Sequence, residues 1–251
     1  MSAQAKIAVL LSTYNGEKFL AEQLDSLLAQ SHKDFILVVR DDGSRDRTVS
    51  LLESYAGDHP ARILLLPSDG ENLGASGGFA FLVDYVLKNK ESLGLQSAYM
   101  MFCDQDDTWY PQKIEKLLAA MLATEADNDS TLPTIVHSDL EVVSEQNTVI
   151  AKSLISYQGL EIERNTFPNL VISNLVTGCT ALINESLAEK ALPIPENAIM
   201  HDWWLALVAT AFGKLVYLDI PLVHYRQHGN NTIGAKEFTK VSVVSMSLWS
   251  R

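Results

Sequence analysis

Positive charge is scarce in this sequence. It carries 19 Lys and Arg against 31 Asp and Glu, a formal charge of -12 with a sequence pI near 4.9. Neutralising a nucleic-acid backbone needs clustered Lys and Arg, so no nucleic-acid partner is expected. Cysteine is equally sparse. Cys103 and Cys179 lie far apart in apolar settings, with neither metal-ligand spacing nor a secreted disulfide pattern. They read as buried free thiols of a reducing compartment, which places the chain in the cytoplasm. No window approaches the ~20 consecutive apolar residues of a spanning helix. The apolar start is short, ends at Ser12 and Asn15, and has no small-residue cleavage site, so it reads as a strand rather than a signal peptide. Membrane attachment is therefore expected only as peripheral association, through the apolar segment Val241 to Trp249. A Walker lysine and the order GxGxxG are both missing, which disfavours P-loop and dinucleotide readings.

What is present is a chain of 251 residues, 47% apolar and free of low-complexity stretches, enough for one globular unit. The first half alternates β-branched runs with helical periodicity, as βαβ units with a mostly parallel sheet do. Strands are expected at Ile7–Ser12, Phe35–Arg40, Ile63–Leu66 and Tyr99–Cys103. Helices are expected at Glu17–Gln30, Arg47–Ala56, Ser76–Leu87 and from Pro111 to about Ala123. Asn128 to Pro133 is a turn-rich connection. Val136–Ser138 and Leu140–Val143 then read as strands flanking a turn, Thr177–Asn184 as a strand followed by a helix, and Leu215–Val223 as a further strand. Polar clusters follow the strands, and open α/β sheets bind ligands beyond the carboxyl ends of their strands.

Asp104, Asp106 and Asp107 form the most informative cluster, because adjacent carboxylates repel unless a cation neutralises them. Hard oxygen ligands favour Mg2+ or Mn2+ bridging to substrate phosphates, and the competing reading is a solvated turn that caps the next helix. Asp41-Asp42-Gly43-Ser44 fits a tight turn or a site for a base and ribose hydroxyls, with Thr13-Tyr14-Asn15 on the same edge. The loop from Asn72 to Gly78, with Gly77 in it, can bring backbone amides to an anion at a helix start. His201-Asp202-Trp203-Trp204 opens an apolar helix. Asp202 reads there either as an N-cap or as a general base beside an aromatic wall that receives the acceptor sugar. In Tyr225 to Asn231, Arg226 and His228 can neutralise a diphosphate or complete a metal site.

The stretches VLLSTYNGEKFLAEQLDSLLAQ, VVRDDGSRDRT, ENLGASGGF, FCDQDDTWYPQKI, HDWWLALVATAFG and YRQHGNNTIGA occur here in order. In that order the chain resembles inverting family 2 glycosyltransferases, especially bacterial rhamnosyltransferase-like members, over about residues 7 to 235. The resemblance implies a GT-A fold, an α/β architecture in which a Rossmann-like nucleotide-sugar-binding half (1–127) packs against an acceptor-binding half (128–251). It further implies that Thr13, Tyr14, Asn15, Glu17, Asp41 and Asp42 form the nucleotide pocket, Asp104 touches ribose, Asp106 binds the metal and Asp202 is the catalytic base. Where many members have Glu-Asp, this chain has His201-Asp202, with the Asp retained. The Gln-x-x-Arg-Trp motif of processive synthases is absent, so addition of a single sugar is expected. The expected activity moves L-rhamnose from dTDP-L-rhamnose to a hydroxyl of a glycan or lipid-linked acceptor. The alternatives are a UDP-hexose donor, a nucleotidyltransferase, and a non-catalytic nucleotide- or glycan-binding module.

Overall fold

The structure is a computed structural model that describes residues 5–67, 70–128, 131–229 and 234–236. The elements run β1 (Ile7–Thr13), α1 (Leu20–Leu28), β2 (Phe35–Asp41), α2 (Thr48–Asp58), β3 (Ile63–Leu65), α3 (Gly74–Lys88) and β4 (Tyr99–Cys103). Then come β5 (Thr108–Trp109), α4 (Lys113–Ala126), β6 (Thr134–Ser144), β7 (Val149–Ala151), α5 (Leu154–Gln158), α6 (Phe167–Leu170), β8 (Ala181–Ile183), α7 (Glu185–Ala191), α8 (His201–Phe212) and β9 (Lys214–Gln227).

One sheet carries the order β3-β2-β1-β4-β8-β6-β9-β5, with β7 beside β6. From β3 to β4 it is parallel, with Ile7 level with Phe35 and Tyr99. Parallel strands covered on both faces are apolar throughout, and alternate residues of β1 serve the two sides. Ile7, Val9 and Leu11 join a core with Leu20, Leu24 and Leu27 of α1 and Leu117 of α4. Ala8 and Leu10 join the opposite core with Phe79, Leu82 and Val86 of α3 and Leu205 of α8. Beyond β4 the sheet is mixed: β8 runs antiparallel to β4 and β6, while β6 and β9 run parallel. The parallel character expected of the sheet therefore belongs to its first half, and a single sheet passes through both halves of the chain.

Two expected elements differ in kind. Val136–Ser138 and Leu140–Val143 are not separated by a turn; they form the single strand β6, irregular at Ser138 and Asp139. Buried Asp139 makes the irregularity, because its Oδ1 accepts the backbone N–H of Leu140 at 2.8 Å and of Leu154 at 3.1 Å. The strand expected over Thr177–Asn184 is a one-turn 3-10 helix at Gly178–Thr180 followed by the short β8, because Gly178 is drawn to Asp202. Gly213 sits where α8 gives way to β9, and a Cβ there would overlap the Pro133 carbonyl.

No described helix is long and apolar enough to cross a membrane. The segment Val241 to Trp249, along with Asn230 and Asn231, lies outside the described residues.

Candidate active site

The carboxyl ends of β1, β2 and β4 open on one cavity of about 700 Å³. Thr13, Tyr14, Asp42, Asn72, Asp104 and Asp106 of the first half of the chain line it, and so do Asn174, Gly178, His201, Asp202 and Trp203 of the second half. Thus two sequence-distant acidic groups, Asp104-Asp106 and Asp202, face a common space.

Several residues expected in the nucleotide pocket instead build its walls. Asp41 is buried and accepts from Thr13 Oγ1 (2.9 Å), Gly43 N (3.1 Å), Ser44 N (2.8 Å) and Ser44 Oγ (2.6 Å), which closes the loop after β2. Asn15, at φ +49°, accepts Arg45 N at 2.9 Å, and Glu17 accepts Arg47 N at 2.8 Å, so both stitch the loop after β1 to the loop after β2. Asp42 lines the cavity yet is paired with Arg40 and accepts Leu73 N at 3.0 Å; burial raises its carboxyl above the ordinary range despite the guanidinium. It therefore anchors the start of α3. Gly77 faces Leu73 and stays out of the cavity; Gly78 is the residue whose missing side chain lets α3 approach Ser12. Trp203 lines the cavity with its Nε1 donating to Leu170 O at 2.5 Å, whereas Trp204 turns into the core and donates to Ala191 O at 2.8 Å.

Arg226, expected at a diphosphate, is bonded within the protein. Only 2% exposed, it sends Nε to Asp106 O (2.9 Å), Nη1 to Glu145 O (2.8 Å) and Nη2 to Glu22 Oε2 (2.6 Å), over the ring of Phe19. Its backbone N–H donates to Asp107 Oδ1 at 3.0 Å. The fork geometry of a guanidinium suits this three-way clamp, which fixes the Asp106-Asp107 turn against α1 and β9. Two residues further on, His228 Nε2 lies 2.8 Å from Asp106 Oδ2, the two being 122 positions apart in sequence. Tertiary structure thus assembles the Asp106–His228 pair that the sequence offered in pieces.

A divalent cation has two candidate seats. Asp104, Asp107 and Cys179 bring ligand atoms within 4.8 Å of one another. Neither Cys179 nor Asp107 lines the cavity. Asp106 does line it and meets His228, an oxygen–nitrogen set suited to Mg2+ or Mn2+. Behind it Asp107 is buried, and repulsion from Asp106 and Asp104 adds to burial in raising its carboxyl well above the ordinary range. Asp104 is raised to about 7 by burial and then by Asp106 and Asp202. Beneath them Lys113 is fully buried, donates to Cys179 O at 2.5 Å and is pulled down to about 7 by burial. Its attraction opposes the rise of the Asp104 carboxyl, a role its place in an ordinary helical pattern did not announce.

Asp202 stands in the first turn of α8, two residues after the N-cap Met200, so it is not the cap. Burial raises its carboxyl to about 6, against the pull of N–H donors from Gly178 (2.8 Å) and Trp203 (2.6 Å). His201 beside it lies 4.4 Å from Phe79 and 4.9 Å from Phe102, ring to ring; burial lowers it to about 3, which keeps it neutral. Asn174 and Gly178 are the site residues that sequence reasoning missed. Their signal was an Asn and a Gly interrupting an apolar stretch that otherwise reads as a strand.

Comparison with known proteins identifies the family and the fold. The Glycosyl transferase family 2 profile matches residues 8–189. The dTDP-rhamnosyl transferase RfbG of Shigella flexneri is 30% identical over 234 residues, covering 90% of this chain and 74% of that protein. Among solved structures, S. aureus TarS 1–349 in complex with UDP-GlcNAc superposes with a TM-score of 0.64 at 17% identity, over 90% of this chain and 60% of that one. The mannosyltransferase PcManGT from Pyrobaculum calidifontis, in complex with GDP-Man and Mn2+, gives 0.61 at 19% identity, over 87% of this chain and 56% of that one. These two likenesses show the fold, GT-A, and this chain spans about 60% of the solved chains' length. With the profile covering most of its length, the chain belongs to glycosyl transferase family 2.

Proposed function

We propose that the chain transfers a single sugar, L-rhamnose from dTDP-L-rhamnose, to a hydroxyl of a glycan or lipid-linked acceptor with inversion at the anomeric carbon. The observation that carries the reading is Asp202, which lines the same cavity as Asp104 and Asp106. Residues 1–127 serve the donor: Thr13, Tyr14 and Asp42 border the nucleotide, and Asp104 meets the ribose. Residues 128–251 serve the acceptor, whose sugar rests against Trp203. Asp106 and His228 hold Mg2+ or Mn2+, which when bound offsets negative charge on the leaving diphosphate. Asp202 accepts the proton of the acceptor hydroxyl as its oxygen bonds to the anomeric carbon, and the bond to the diphosphate oxygen breaks with its electron pair leaving on the nucleotide. The rhamnose assignment is supported by the likeness to RfbG, and a UDP-hexose is the alternative donor. Two free buried thiols suit a cytoplasmic setting, in which lipid-linked acceptors are met at the membrane surface.

Calorimetry with a panel of nucleotide sugars in the presence of Mn2+ tests the donor. The expected result is tightest binding of dTDP-L-rhamnose, with UDP-hexoses weaker by about tenfold or more, the size of effect that one or two lost pocket contacts produce. Preference for a UDP-hexose moves the assignment to the alternative, and binding of no nucleotide sugar overturns the reading.

A further inference from the structure

Asp202 reaches the cavity from α8, but what holds its carboxylate comes from the irregular link between α6 and the turn at Gly178. Within that link Asn174 is locked to Val176: Val176 N donates to Asn174 Oδ1 at 3.0 Å, and Asn174 Nδ2 donates to Val176 O at 2.7 Å. A flipped amide would set like against like at both contacts, so the orientation is fixed. The same Nδ2 stands 3.4 Å from Asp202 Oδ1. Gly178 N donates to Asp202 Oδ2 at 2.8 Å, and Trp203 N donates to Oδ1 at 2.6 Å. A Cβ on Gly178 would lie 3.0 Å from His201 Nε2, close enough to push the imidazole by a few tenths of an ångström, and 3.4 Å from Asp202 Oδ2, in ordinary contact. The far end of the link is tied as well, by Trp203 Nε1 on Leu170 O.

A carboxylate offers about four lone-pair sites, and this link and the α8 backbone occupy most of them. The residue also lines the cavity. We infer that the Asn174–Gly178 link is a sling for the general base, with Asn174 and Gly178 acting as positioning residues that hold the Asp202 carboxylate in one orientation toward the acceptor hydroxyl. The inference rests on Asp202 being the base. Its two consequences are geometric and electrostatic. A base fixed in a reactive orientation avoids the roughly hundredfold loss that a misplacement of about 1 Å causes. The N–H donors also favour the charged form of a carboxylate that burial disfavours.

The groups around Asp202 leave few other sources of such an effect. Asp104 at the end of β4 is the charged group that interacts with it. His201 on α8 is neutral, and so is Cys179, which follows Gly178. On the neighbouring helices Glu185 and Glu189 of α7 act on Lys90, Lys190 of α7 lies over Phe212, and Asp84 pairs with Lys88 on α3.

The test is Asn174→Ala and Asn174→Asp in the full chain, with kcat, donor KM and the pH dependence of kcat measured beside Asp202→Asn. The expected result is a kcat lower by about 10- to 100-fold for Asn174→Ala and lower still for Asn174→Asp, which sets a carboxylate against Asp202. Donor KM should stay within about twofold, because neither Asn174 nor Asp202 is among the residues assigned to the nucleotide. The acid limb of the kcat profile should move to higher pH in both variants, since a donor to the charged form is lost. The limb's position does not depend on what fraction of a variant folds, so an unstable variant still reports. An unmoved acid limb, or a kcat unchanged in Asn174→Ala, overturns the sling. If Asp202→Asn itself turns over normally, the failure lies with the base assignment rather than with the link.

Discussion

Replacing Asp202 by Asn is expected to lower transfer by about two to four orders of magnitude, the usual contribution of a positioned general base, while binding of nucleotide and Mn2+ stays within about twofold. A purely structural Asp at a helix start predicts something different, a loss of about 1 kcal/mol of stability with turnover nearly intact. The structure sharpens the contrast, because Met200 occupies the cap position and the Asp202 carboxylate is turned onto Gly178 and the cavity. The pH dependence follows from the same group. Burial raises Asp202 to about 6, and only its ionised form can take a proton. Activity is thus expected to be full above that value and to fall about tenfold per pH unit below it. For stability the sign is opposite: a carboxyl raised in the folded state favours folding while protonated, and that contribution is lost as pH rises through about 6. Initial rates and denaturant midpoints of the parent and Asp202→Asn between pH 4.5 and 8 check both, and a variant retaining more than about a tenth of parent turnover excludes a base of this size.

The second large effect concerns Asp106. Asp106→Ala is expected to cut turnover by about two to three orders of magnitude, the several kcal/mol that a cation contributes at a departing diphosphate, and to abolish Mn2+ binding measured by calorimetry. Stability should hold or rise slightly, because the substitution removes one of several mutually repelling carboxylates from a turn that Arg226 keeps in place. Undiminished turnover after exhaustive chelation sinks the metal assignment.

The first half of the fold was legible because its signals are local. Strands β1 to β4 begin and end within a residue or so of their apolar runs, and the polar residues that follow them do converge. α1 starts at Leu20 rather than Glu17, since residues 16–18 are held in a turn by Thr48 and Asp46. Direction was not legible. Asp41, Asn15, Glu17 and Arg226 sit where ligand contacts are expected, yet each is spent on the loops around the cavity, and nothing in residue type or spacing separates a polar group that faces a cavity from one that faces the next loop. The break read at Asp139 was real, but it is absorbed as an irregularity inside a strand by bonds to Leu154, fifteen positions away. Asn174 and Gly178 acquire meaning only when α8 delivers Asp202 to them.

The most direct test of the account is a crystal structure with dTDP and Mn2+ bound, using the anomalous signal of manganese to place the metal. The account predicts manganese between Asp106 and His228, the thymidine end toward Thr13 and Asp42, and Asp202 across the cavity beyond the diphosphate. Manganese seated instead among Asp104, Asp107 and Cys179, or a nucleotide bound outside this cavity, would contradict it.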